Sequence, residues 1–288
     1  MEILHYPVLK EQVLHYLNIK KGGIYIDATC GRGGHSGYIL KSDSSIFLYG
    51  IDKDMQAIRE VSENLSGFEN FKALHCGFEN IDNFLEQESI SRIDGILFDI
   101  GFSTNQIKDS ERGFSFQTDG PIDMRYDTDS PLTAWEIINK WDRNNLIWIM
   151  ENFGEIRNAK KLADAIILRR KRKNFTTTLE LADFISGYYG YRKKIHPATK
   201  VFMSLRIAVN NELASLAEGL KKAEKALSSE GRLVVISFHS LEDRIVKKFM
   251  RGSSDMTVLT KKPVTADEEE LQLNPESRSA KLRAAEKK

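Results

Sequence analysis

A short apolar run at residues 24–27 ends in an aspartate and passes without a linker into Asp27-Ala-Thr-Cys-Gly-Arg-Gly-Gly-His35-Ser36. Few folds accommodate such a stretch. The run reads as a buried strand. Gly31, Gly33 and Gly34 permit a tight turn and close approach of a ligand to backbone N–H groups. A helix following the turn would aim its N-terminus at that ligand. Strand, glycine turn and helix in this order is where an open α/β sheet binds a nucleotide, outside the carboxyl ends of its strands.

Further apolar runs at 46–51, 71–75, 96–100 and 232–238 read as additional buried strands. The first four strands arrive at the spacing of strand–helix units, with a helical pattern at 55–65 between two of them. That alternation predicts an α/β fold with a Rossmann-like parallel sheet covered on both faces. Between Gly101 and Gly231 the rhythm stops, leaving helical patterns at 131–139, 144–152, 156–172, 178–188 and 199–227. The first has Ser130 as N-cap and Pro131 just inside the helix. The expected organisation is a discontinuous core, residues 1–108 and 215–288, with an inserted helical subdomain at 109–214 for substrate recognition. From about residue 263 the chain is charged and poor in apolar residues, which predicts a mobile tail.

Composition limits the function classes. With 41% hydrophobic and 29% charged residues the 288-residue chain is an ordinary globular one. It contains no apolar run long enough to span a membrane. The first residues lack a basic leader followed by an apolar stretch, so the expected compartment is the cytoplasm. Cys30 and Cys76 lie far apart and outside any CxxC pattern, the usage of a reduced protein without a disulfide framework or a zinc site. No metal is expected. The net charge of +1 does not argue against a nucleic-acid partner, because a local basic face suffices. Arg169, Arg170, Lys171, Arg172 and Lys173 form an unbroken run, Arg192–Lys194 follow, and the C-terminus is basic beyond an acidic patch at 267–270. The run would lie against phosphate or form a solvated helix face.

The glycine turn does not fit every nucleotide. GxGxxG starting at Gly31 needs glycine at position 36, where Ser36 stands, and no GxxxxGK[ST] occurs. Asp27 beside the turn would repel a pyrophosphate and suits an ammonium or sulfonium group. Asp52, ending the second strand, is placed to meet two ribose hydroxyls. Together these favour S-adenosylmethionine over NAD, with an NAD-dependent oxidoreductase as the enzyme alternative. An RNA-binding assembly factor that keeps the pocket is the non-enzyme alternative. Asp99 ends the fourth strand, on the edge facing a transferred group; it is a catalytic carboxylate or a turn cap. Phe78 and Glu79 follow the third strand and would flank an adenine or simply fill a turn.

Longer motifs extend this pattern through the chain. They are HYPVL at 5–9, DATCGRGGHS at 27–36, DIGFSTNQ at 99–106, ERGFSF at 111–116 and DGPIDMR at 119–125. HPATKVFMSLRIAVNNEL at 196–213, GRLVVISFHSLEDRIVKKFM at 231–250 and NPESRSAKLR at 274–283 complete the series. In these the chain resembles the MraW/RsmH family, which methylates the exocyclic N4 of a cytidine in the decoding centre of bacterial 16S rRNA. The resemblance implies a class I methyltransferase core, S-adenosylmethionine as donor, S-adenosylhomocysteine as product, and the small ribosomal subunit, ribosomal proteins included, as partner. By position it puts cofactor contacts at Gly33, Gly34, His35, Asp52, Phe78, Asp99 and Gln106. Two departures stand out: Glu276 where the family tail has arginine, and Tyr126 where it has methionine.

For such chemistry a group accepting the N–H bonds of the weakly nucleophilic amine would raise its electron density and take up the surplus proton. Asp99 is the first choice; Ser103 and the His239–Ser240 pair are weaker candidates on the same rim. Ser240 with Asp243 also reads as a capping box, and His196 before Pro197 as a helix-entry residue. Cytosine C5 chemistry would need a cysteine nucleophile in a Pro-Cys setting, which neither cysteine has, and the D/N-P-P-Y/F signature of many amine methyltransferases is absent. Phe114, Phe116, Trp135 and Trp141 would stack on an unstacked base or belong to the insertion's core.

Overall fold

The computed structural model describes residues 6–101, 107, 109–190 and 196–288. The chain forms two compact units, one from Met1–Gly101 with Leu213–Lys288, the other from Phe102–Glu212.

The first unit is built on strands β1 (Ile24–Asp27), β2 (Phe47–Asp52), β3 (Phe71–His75), β4 (Ile93–Asp99), β5 (Leu227–Ser237), β6 (Met256–Val258) and β7 (Lys281–Lys287). Among the described residues they make one sheet of order β3-β2-β1-β4-β5-β7-β6. The pairs β2–β3, β1–β2, β1–β4 and β4–β5 are parallel, whereas β7 is antiparallel to both β5 and β6. Alternate residues feed opposite faces, as the strand period requires. Ile96, Phe98, Leu233 and Val235 pack beneath helices Ile81–Gln87, Glu212–Ala226 and Ser240–Gly252. Leu97, Val234 and Ile236 meet helices Lys10–Leu17, Gly34–Ser42 and Met55–Asn64. Burying each such side chain contributes about 1.5–3 kcal/mol, so two apolar layers hold the parallel strands in register. The register brings Asp27 beside Gly50 and Leu97, and Asp99 beside Ile236, so the strand-terminal acids gather on the carboxyl edge.

The C-terminal segment differs from the expected mobile tail. Helix Glu268–Leu273 and β7 are ordered parts of this unit, and β7 is an interior strand of the sheet. Its apolar residues Leu282, Ala284 and Ala285 are buried, and the charges of Arg283 and Glu286 are matched. Arg283 donates twice to Asp243 at 2.6 and 3.2 Å, and Glu286 pairs with Arg232 at 2.7 Å. Matched charges let a polar-looking segment lie inside a sheet.

The second unit contains helices Ala134–Lys140, Arg143–Asn152, Ala159–Arg170, Thr178–Tyr189 and Ala198–Asn210 around Ile137, Leu146, Leu162, Phe175 and Leu205. Asn139 stitches this core, accepting the Phe175 N–H at 2.9 Å and donating to its carbonyl at 3.0 Å. The expected start near Pro131 with Ser130 as cap is displaced: Thr133 caps the helix by accepting the Glu136 N–H at 3.2 Å. The single helix expected over 199–227 is two, because Asn211 adopts φ +51° and terminates the first. No helix of the described residues is long and apolar enough to cross a membrane.

Candidate active site

β1 ends in Asp27, which is fully buried. Its Oδ2 accepts the Ser36 hydroxyl at 2.7 Å and its Oδ1 the Thr29 N–H at 3.3 Å. Burial pushes this carboxyl above the usual range, and His35, Ser36 and Thr29 only partly offset the effect. The turn that follows uses glycine for two different reasons. Gly31 sits at φ +49° with open space around it, whereas Gly33 sits at φ +89° against helix Met55–Asn64. A Cβ on Gly33 would lie 2.8 Å from Val61 Cγ2 and 3.0 Å from Leu65 Cδ1, so both conformation and packing exclude a side chain there. Gly34 opens helix Gly34–Ser42, and its neighbour His35 turns inward.

β2 delivers Asp52 to the other side of the turn. Its Oδ2 accepts the Gly31 N–H at 3.0 Å and its Oδ1 the Asp54 N–H at 2.9 Å. Burial raises its carboxyl to about 6 despite those two bonds. Beyond β3, Phe78 lies half-buried, edge-on to Phe98 at 5.5 Å and so near helix Glu212–Ala226 that a Cβ on Gly219 would approach its ring to 2.9 Å. Lys53 passes over this ring, 5.7 Å from its centroid, and pairs with Glu79 at 2.6 Å.

β4 ends in Asp99. Its backbone N–H is taken by Thr29 Oγ1 at 2.7 Å, which fixes the strand end against the glycine turn. Its carboxylate caps no turn among the described residues. Oδ2 stands 3.4 Å from His35 Nε2, while Oδ1 is buried and, among the described residues, without a hydrogen-bond partner. Both ring nitrogens of His35 are in the same condition. Buried polar atoms left in this condition are places where a water, an ion or a ligand can bind. The fit to a sulfonium-bearing nucleoside is consistent: acidic groups where a cation would sit, open backbone at Gly31, a carboxylate at the second strand and an aromatic face at the third.

Ser103 and Gln106 lie outside the described residues, as do His5 and Arg192–Lys194. At the end of β5, His239 is engaged in structure. It is the N-cap of helix Ser240–Gly252, with its Nε2 2.9 Å from Glu242 Oε1, and Glu242 Oε2 accepts the Phe238 N–H at 2.9 Å. A capping box is present, but one residue earlier than the Ser240–Asp243 pair expected from sequence. His196 contacts Ser186 Oγ at 3.0 Å through Nε2 and takes the Ala198 N–H on Nδ1, the helix-entry role. Cys30 is buried with its thiol pushed well above the ordinary range by burial, unsuited to act as a nucleophile.

In the second unit Phe114, Phe116, Trp135 and Trp141 pack on the hydrophobic core, with Phe114 stacked on Tyr126 at 5.3 Å. The basic run is partly consumed: Arg169 pairs with Glu180 at 2.5 Å, and Arg170 donates to the Ile138 and Trp141 carbonyls. Two groups at the site carry no sequence signal. Thr29 is a small residue inside a glycine turn. Glu270 comes from the acidic patch, and its Oε1 accepts the Leu9 N–H at 2.6 Å.

Comparison with known proteins converges. A model of the MraW methylase family matches residues 2–288. A protein from Persephonella marina named ribosomal RNA small subunit methyltransferase H is 45% identical, over 98% of this chain and 99% of its own length. A protein of the same name from Deinococcus deserti is 43% identical, over 99% of this chain and 94% of its own. A solved structure from Clostridium thermocellum, named only provisionally as an rRNA-methylase, superposes with TM-score 0.50 at 13% identity over 99% of this chain and 100% of that one, which is a likeness of fold.

Proposed function

Because this chain belongs to the MraW methylase family, we propose that it is an S-adenosylmethionine-dependent methyltransferase of small-subunit ribosomal RNA whose acceptor is the exocyclic N4 of a specific cytidine in the decoding centre of 16S rRNA. The observation that carries the reading is Asp99: a buried carboxylate at the end of β4, one oxygen beside His35 and the other without a partner among the described residues. Gly33, Gly34, His35, Asp52 and Phe78 would hold the methyl donor. When bound, S-adenosylmethionine supplies an electrophilic methyl group on a positively charged sulfur.

The chain's own residues supply position, polarity and a proton acceptor. Asp52 offers carboxylate oxygens to paired ribose hydroxyls, and Phe78 offers an apolar face to a base. Holding two reactants in line is worth several kcal/mol by itself. Asp99 accepts an N–H of the incoming amine, opposes delocalisation of the nitrogen lone pair into the ring, and takes the proton that the methylated nitrogen sheds. Ser103 is kept as a weaker candidate, and His239 serves that rim by capping rather than by touching the reactants. The second unit, with Lys171 and Arg172 not consumed by the contacts described for their neighbours, is the substrate-recognition part. Ribosomal proteins around the target nucleotide are further partners, and the compartment is the cytoplasm.

The donor assignment is tested by thermal unfolding with S-adenosylhomocysteine and with NAD. The first should raise the Tm, by mass action on the folded state, and the second should not. Stabilisation by NAD alone would overturn the reading in favour of an oxidoreductase.

A further inference from the structure

His35 is out of place for a histidine that merely lines a pocket. It is 7% exposed, and among the described residues neither ring nitrogen has a hydrogen-bond partner. Its helix, Gly34–Ser42, carries the ring into a field of carboxylates arriving from other elements. Asp99 comes from β4, with Oδ2 3.4 Å from Nε2. Asp27 comes from β1, fully buried and accepting the hydroxyl of Ser36, the neighbour of His35, at 2.7 Å. Glu270 comes from helix Glu268–Leu273, anchored by the Leu9 N–H. Among the described residues the cation-forming group paired with Asp99 is this imidazole. Burial disfavours a charged ring, but the Asp99 contact and the charges of Asp99, Asp27 and Glu270 outweigh burial and hold its pKa above the ordinary value.

A site with that much negative charge needs a cation. The ligand of the function proposed above brings one of its own. Two positive charges in one buried field repel, so only one of them belongs there at a time. We propose that His35 is the counter-ion of Asp27 and Asp99 while the donor pocket holds no sulfonium, and that it surrenders its proton to solvent when a sulfonium ligand enters. This rests on the methyl-donor reading and deepens it: His35 becomes the residue that distinguishes donor from product. S-adenosylmethionine carries one positive charge more than S-adenosylhomocysteine, so donor binding expels a proton that product binding leaves in place. Occupancy then follows linkage. Below the histidine's pKa, donor affinity rises by up to about tenfold per pH unit, and above it the dependence flattens. Product affinity changes less over the same range, so falling pH favours product over donor.

Isothermal titration of the full chain decides this, using S-adenosylmethionine and S-adenosylhomocysteine near pH 6.5 in two buffers of different ionisation enthalpy. The expected result is release of up to about one proton per donor bound, distinctly less per product bound, and loss of that difference in His35→Asn. Equal proton release by the two ligands in the wild-type protein would overturn the proposal, and that comparison needs no variant to fold. Failure of both ligands to bind would sink the methyl-donor reading and the proposal with it. Binding of both with equal proton release would leave that reading standing and remove only the role of His35.

Discussion

Replacing Asp52 by asparagine should give a protein that tolerates rising pH better and binds its cofactor worse. Burial raises this carboxyl from 3.8 to about 6, while the N–H groups of Asp54 and Gly31 oppose the rise. A carboxyl raised in the folded state favours folding while it is protonated. Its contribution is complete below about pH 4, where the unfolded chain is protonated too, and is lost as pH climbs through about 6. At about 1.4 kcal/mol per pH unit, the loss across that window is at most about 3 kcal/mol, and partial solvent access trims it toward 1–2. Asparagine cannot titrate, so this slope disappears. It keeps one acceptor for the two N–H groups now served by Oδ1 and Oδ2, a cost of about 1–3 kcal/mol that is independent of pH. Loss of a charged acceptor for ribose hydroxyls should weaken S-adenosylhomocysteine binding by about tenfold to a hundredfold. The assay is urea unfolding at several pH values from about 4 to 8, wild type minus variant, alongside a ligand titration at pH 7.5. A stability difference that stays flat across that range, or cofactor affinity left unchanged, would refute the reasoning about this carboxylate.

Three further outcomes follow from the same geometry. Asp99→Asn should lower the methyl-transfer rate by about 10²-fold or more, well beyond any loss of S-adenosylhomocysteine affinity read by titration; retained turnover would remove Asp99 from the chemistry. His239→Asn keeps an N-cap side chain and should leave both Tm and turnover close to wild type, whereas His239→Ala should cost about 1 kcal/mol of stability; a large rate loss in the asparagine variant would make His239 a participant in the reaction. Deleting residues 281–288 removes β7 from between β5 and β6 and should abolish cooperative thermal unfolding, an effect that loss of a mobile tail would not produce.

The parallel core was legible because its central strands β1, β4 and β5 are buried on both faces and so read as continuous apolar runs, and because Asp27, Asp52 and Asp99 each terminate a strand. β7 was not. Alternating Leu282, Arg283 and Ala284 looks soluble until Arg283 meets Asp243, a partner forty positions away in sequence that no local pattern announces. The break at Asn211 was hidden for a different reason: asparagine is tolerated in a helix pattern, and only the backbone shows it in the left-handed region. The N-cap falls on His239, one residue before Ser240, because a histidine nitrogen can replace the usual hydroxyl or carboxylate there. Of the site, Asp27, His35, Asp52 and Asp99 were visible from their places around one turn. Glu270 was not, since its proximity to His35 depends on the C-terminal segment lying beside Leu9.

The most direct test is methyl transfer from labelled S-adenosylmethionine to small ribosomal subunits taken from cells lacking this enzyme, followed by digestion and nucleoside mass spectrometry. The expected product is N4-methylcytidine at a single position of the decoding centre. Label on the cytosine ring carbon, on another nucleoside, or on protein alone would contradict it.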